Sequence, residues 1–121
     1  MRQISPRVKK LLLKDSRMEK CEWCGKATEE WHHVLIYAGR QIDEAFAISG
    51  VCKKCREMVT SHKSKSKEEE RTVEHMRAYF KLNAINRMSK EDRIKYHKAV
   101  PPWIHQKEQL TKKLYEYSRK S

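Results

Sequence analysis

Four cysteines fall in two pairs, Cys21-Glu22-Trp23-Cys24 and Cys52-Lys53-Lys54-Cys55, with 27 residues between them. A two-residue gap lets both thiolates of a pair converge on one centre about 2.3 Å away, and two such knuckles complete a tetrahedron. Gly25 follows the first pair, where a tight turn favours a residue that tolerates positive φ. Disulfides and a redox-active CxxC are the competing fates. A cytosolic setting keeps thiols reduced, and a redox motif does not explain two copies. We therefore read Cys21, Cys24, Cys52 and Cys55 as ligands of a structural Zn²⁺. The chain is 121 residues long, 38% hydrophobic and 36% charged, which suits one domain with a small core. A structural metal contributes on the order of 10 kcal/mol to folding and supplies what such a core lacks.

Charge is unevenly distributed. The formal net charge is +12. Residues 1–20 carry seven basic and two acidic side chains, residues 21–62 five and six, and residues 63–121 sixteen and eight. A near-neutral centre between basic arms points to a polyanion, whose condensed counterions are released on binding. Arg2, Arg7, Lys9 and Lys10 in one arm, and Lys112, Lys113, Arg119 and Lys120 in the other, are phosphate contacts in kind. Mixed stretches such as Lys63–Arg71 also suit a solvated helix face. No apolar run reaches the roughly 18–20 residues of a membrane span, and no secretory apolar region is visible. The expectation is a cytoplasmic protein with DNA, not a membrane, as its partner.

Along the chain, Arg7 to Met18 predicts a short basic helix with Val8, Leu11, Leu12 and Met18 on one side. Trp31 to Ile36 is β-prone, Ala38-Gly39-Arg40-Gln41 supplies a turn, and Ala45 to Ile48 reads as the return strand. A helix should open at about Lys54 and run towards His62, with a polar hinge over Ser61–Lys67. Ser66 to Ile85 predicts a helix with Val73, Met76, Tyr79 and Phe80 inward. Ser89 caps another, which Pro101-Pro102 breaks before a last helix near Trp103. Its aromatics read as packing on the metal module. The expected class is α+β, in three parts: residues 1–20 a basic helical arm, 21–63 the zinc-bound module, and 64–121 a basic helical extension packed on it.

Knuckle, strand carrying His32-His33, turn, strand, knuckle and helix form a specific order of parts. In this order Cys21 to about His62, a third of the chain, resembles the HNH or ββα-metal endonuclease superfamily in its branch with four zinc-binding cysteines. Trp31-His32-His33 with Tyr37-Ala38-Gly39-Arg40-Gln41-Ile42 is similar to small phage-encoded HNH-type recombination and junction endonucleases. The resemblance implies a treble-clef-like module, cleavage of DNA in the host cytoplasm, and a catalytic divalent ion such as Mg²⁺ or Mn²⁺ against the scissile phosphate. It assigns His32 as ion ligand and His33 as general base. Imidazole suits that task because it titrates near neutrality. Adjacent residues face opposite sides of a regular strand, so His32 and His33 need an irregularity or a strand end to act together. Arg40, Lys53, Lys54 and Arg56 are the phosphate contacts expected near the site. Junction enzymes often work as dimers, so the resemblance admits a homodimer through the C-terminal helices.

The chain also departs from the family. The bracing Asn five residues before the third cysteine is Ala47. The ligand position directly after the fourth cysteine is Arg56, a fixed cation that cannot bind another. His62 lies nearly two helical turns further on, and Glu57 faces away from Arg56 by about 100°. Asp43 or Glu44 can enter from the strand connection to replace the bracing group. Two readings follow. One is a rebuilt nuclease site with His62, Asp43 or Glu44; the other is a catalytically degenerate nucleic-acid-binding or inhibitor protein with Arg56 as a phosphate clamp.

Overall fold

Ser5 starts the first helix, α1 (Pro6–Leu13): its hydroxyl accepts from the Val8 amide, and Pro6 sits in the first turn, where a missing N–H costs nothing. The computed structural model describes residues 4–37, 40–60, 66–98 and 100–120. Val8 and Leu12 are buried, whereas Leu11 and Leu13 face solvent. The helix stops short of Met18 because the Asp15 carboxylate accepts from the Arg17 amide and caps a separate 3₁₀ turn, Ser16–Glu19. Met18 still reaches the core beside Val8, Leu12 and Ile48.

The first knuckle then turns back on itself. Gly25 takes φ +79°, its amide donates to the Cys21 carbonyl, and Cys21 donates to Lys26. Strand β1 (Glu30–His33) follows, then a two-residue ribbon of β2 (Ile36–Tyr37) and β3 (Arg40–Gln41). Strand β4 (Ile48–Val51) pairs antiparallel with β1, placing Trp31 opposite Gly50, His32 opposite Ser49 and His33 opposite Ile48. The expected strand from Trp31 to Ile36 is thus divided after His33, where the Val34 amide donates to the Ala47 carbonyl and the chain turns inward. The return strand begins at Ile48, because Ala45–Ala47 form a 3₁₀ turn closed by the Ala47 amide on the Glu44 carbonyl. Gly50 allows the knuckle to lie against β4: a Cβ there would come within 2.8 Å of Thr28 Oγ1 and 3.2 Å of the Met18 carbonyl.

Helix α2 (Lys53–Thr60) leaves directly from the second knuckle. Its expected continuation to His62, and most of the expected hinge, lie outside the described residues. Helix α3 (Lys67–Asn86) is capped by Ser66 and carries Glu68, Glu69 and Glu70 in its first turn, where the helix dipole favours negative charge. Helix α4 (Lys90–Lys95) opens on a Ser89–Asp92 capping box. Helix α5 (Val100–Lys120) starts before Trp103, with Pro101 and Pro102 inside its first turn instead of breaking the chain ahead of it. First-turn amides have no intrahelical acceptor, so proline is tolerated there.

The result is an α+β chain with a four-cysteine cluster. None of its described helices is long and apolar enough to cross a membrane. One hydrophobic cluster joins the knuckles to the C-terminal helices. Trp103 is 1% exposed and meets Phe46 and Tyr96 with ring centroids 6.2 and 6.1 Å away. Arg87 Nη1 and Asn83 Nδ2 both donate to Glu22 Oε1 at 2.8 Å, tying α3 to the first knuckle. Trp103→Ala should cost about 3–5 kcal/mol in urea unfolding; a loss below about 1 kcal/mol would show that α5 does not support the core.

Candidate functional site

Both knuckles bring their thiols to one point. Every pair among Cys21, Cys24, Cys52 and Cys55 has its sulfurs within 4.8 Å, and Cys24 Sγ lies 3.6 Å from Cys52 Sγ. Sulfurs placed tetrahedrally at 2.3 Å from zinc are about 3.8 Å apart. All four cysteines are free thiols, and only Cys24 is exposed. The donor set and spacing therefore fit a metal ion such as zinc. Burial opposes ionisation of Cys21, but the backbone amides of Cys24, Cys52 and Trp23 outweigh it and bring the thiol down to about 7. Burial and its sulfur neighbours push Cys55 the other way. Four thiolates cannot share so small a space without a cation to neutralise them.

His33 ends β1, and its side chain is nearly enclosed. Its Nε2 faces Asp43 Oδ1 at 3.6 Å, and neither atom has a hydrogen-bond partner among the described residues. Asp43 is held from its other oxygen, which accepts from the Ser5 amide at 3.1 Å. Burial pushes Asp43 up, but the Ser5 amide and hydroxyl and the facing His33 ring outweigh it, so the carboxyl stays below its ordinary value. The loop between β3 and the 3₁₀ turn thus delivers a carboxylate to the imidazole.

His32 precedes His33 in β1, opposite Ser49 of β4. It lines a cleft of about 540 Å³ together with His33, Glu29, Glu30, Gln41, Arg56 and Thr60. Burial, then His33, then Arg56 lower its pKa, which keeps the ring neutral at physiological pH. Arg56 Nε contacts Glu30 Oε2 as an ion pair, so the guanidinium that follows the fourth cysteine is already balanced by a carboxylate. Glu29 Oε2 accepts from the Lys53 amide at 2.7 Å, at the start of α2.

The residues expected at the site divide accordingly. The structure brings His33 to Asp43 and His32 to Arg56, and both imidazoles line the same cleft. Glu44 is committed elsewhere: it is 7% exposed, and its Oε1 pairs with Arg7 Nη2 and Lys95 Nζ, each at 2.8 Å. Ala47 is fully buried and offers no polar group. Glu57 is exposed on α2, as are Lys53 and Lys54. Arg40 lies in β3, and His62 falls outside the described residues. Sequence reasoning missed Glu30 and Ser5; the alternation of Glu30 with His32 was a usable signal, whereas the Ser5 contact spans 38 residues.

No protein-family model, curated protein or solved structure matches the chain.

Metal analysis of the reduced protein should find one zinc per chain, and Cys52→Ser should lose the metal together with cooperative unfolding; a metal-free parent that unfolds cooperatively would refute the centre. Asp43 and Glu44 both ionise below their ordinary values of 3.8 and 4.5. Their contribution is complete above those values and disappears as the pH falls through the lower folded-state ones. Acid titration of the Asp43→Asn/Glu44→Gln protein should show a shallower loss of stability below about pH 4 than the parent; identical acid limbs would remove both groups from the acid transition.

Proposed function

We propose that the chain is an HNH-like, ββα-metal endonuclease that cuts or nicks DNA. The observation that carries this reading is the His33–Asp43 pair at the end of β1, within a strand–strand–helix unit closed by four cysteines. Asp43 favours the tautomer with its proton on Nε2, which leaves the Nδ1 lone pair to accept a proton from water. The activated water attacks phosphorus in line, the phosphorus–oxygen bond on the opposite side breaks, and the leaving oxygen takes a proton from solvent. His32 and His62 would hold the Mg²⁺ or Mn²⁺, which would supply charge stabilisation at the leaving oxygen. Arg56, Lys53 and Lys54 neutralise the phosphates that flank the bond, and the +12 chain adds long-range attraction.

A second reading is favoured by one specific observation. Arg56, paired with Glu30, stands beside His32 and repels a cation there. On that ground the fold is a zinc-stapled binding module in which phosphate replaces Glu30 as the partner of Arg56. Plasmid nicking separates the two. The parent with Mg²⁺ or Mn²⁺ should nick DNA, and His33→Ala should lower the rate by about 10²–10⁴-fold with its zinc retained. Unchanged nicking in His33→Ala would remove His33 from the mechanism, and absence of nicking under either ion alongside salt-dependent DNA binding would establish the binding module.

A further inference from the structure

A second concavity lies on the other side of Glu29 from the His32 cleft. Trp23, Lys26, Glu29, Lys54 and Met58 line it together with Cys24, Cys52 and Cys55, and its volume is about 470 Å³. That volume falls in the roughly 300–1,000 Å³ range of small-ligand sites and greatly exceeds the gap between sulfurs 3.6 Å apart, so it is not simply the space of the metal. Trp23 is half-buried and is held by two edge contacts, to His75 at 5.2 Å and to Tyr79 at 5.5 Å. Its ring is therefore fixed before anything binds, which reduces the entropy lost on stacking. Lys26 and Lys54 are exposed at the rim, and Glu29 is occupied by the Lys53 amide. Glu29 lines both concavities, so the groove continues the candidate phosphate path out of the His32 cleft.

From this arrangement we infer that the groove holds an unpaired nucleotide of a DNA strand, with the base against Trp23 and Met58 and the adjoining phosphates at Lys26 and Lys54. The occupant follows from complementarity. An aromatic and thioether floor accepts any base face, two cations accept its phosphates, and a base paired within a duplex cannot reach the floor. The inference rests on the nucleic-acid part of the proposed function and adds the substrate class: DNA with a single-stranded segment.

The test is binding of the zinc-loaded full chain to fluorescent (dT)₁₂ and to a 12-base-pair duplex, without added Mg²⁺ or Mn²⁺. The parent should prefer (dT)₁₂. The double variant Lys26→Glu/Lys54→Glu should weaken (dT)₁₂ binding at least about tenfold and reduce the magnitude of its salt slope by about 1.4, the share of two phosphates on a single strand. Trp23→Leu should weaken it about tenfold and Trp23→Phe much less, since only the latter keeps a stacking face. Zinc content should match the parent in the lysine variant; if a Trp23 variant loses zinc, the lysine pair decides alone. Parent-like (dT)₁₂ affinity in the lysine variant, or equal losses on single strand and duplex, overturns the inference. A chain that binds (dT)₁₂ through these residues and cuts nothing keeps the groove and loses the endonuclease, whereas nicking with parent-like (dT)₁₂ binding in the lysine variant does the reverse.

Discussion

Convergence of four thiols on one point governs the arrangement of the rest. The knuckles belong to segments 27 residues apart, and joining them sets the start of β1, the end of β4 and the origin of α2 together. Cys21, Cys52 and Cys55 are buried in the same cluster as Phe46, Met76 and Trp103. An all-thiolate centre inside an apolar surround is stable only with a cation at its middle. The small sheet inherits its position from this centre. Two strands of four residues do not hold themselves together in water, but here one end of the pair is anchored at the cysteines and the other at the Val34–Ala47 hydrogen bond.

Charged side chains make the longer ties. Arg17 donates to the Ile48 and Ala45 carbonyls at 2.7 and 2.5 Å, which satisfies backbone acceptors at the turn into β4. Arg87 reaches Glu22, the Phe46 carbonyl and Ser49 from α3. Glu44 gathers Arg7 from α1 and Lys95 from α4. Each guanidinium replaces water at polar groups that the surrounding apolar packing has enclosed, and an enclosed carbonyl without a donor costs more than the new bond yields. A chain with this many cations therefore uses part of its charge for internal cohesion. On α2, Lys53 and Lys54 stay exposed.

The site has the same division of labour. One strand presents two imidazoles at one cleft: His33 faces a carboxylate inside the fold, and His32 stands near a guanidinium. Because β1 ends at His33, the consecutive histidines both reach the cleft while keeping different partners. Ala47 is apolar and enclosed, while Asp43, four residues earlier, supplies the carboxylate that the imidazole faces.

Cysteine spacing, the turn glycine after the first knuckle and the Ser89 cap were legible in the residues, because each depends on covalent geometry or on groups within a few positions. Spacing within each pair brings its two thiols within reach of one ion, and Ser89 meets its amide three residues away. Tertiary packing decided where β1 ends, where β4 begins and why Pro101-Pro102 enter α5, since burial of Val34, Leu35, Phe46 and Trp103 outweighs local strand and turn preferences. It also chose Asp43 over Glu44 for His33. The two carboxylates are adjacent and chemically alike, and only contacts made by Ser5, Arg7 and Lys95, 37 to 51 residues away, determine which one each partner holds.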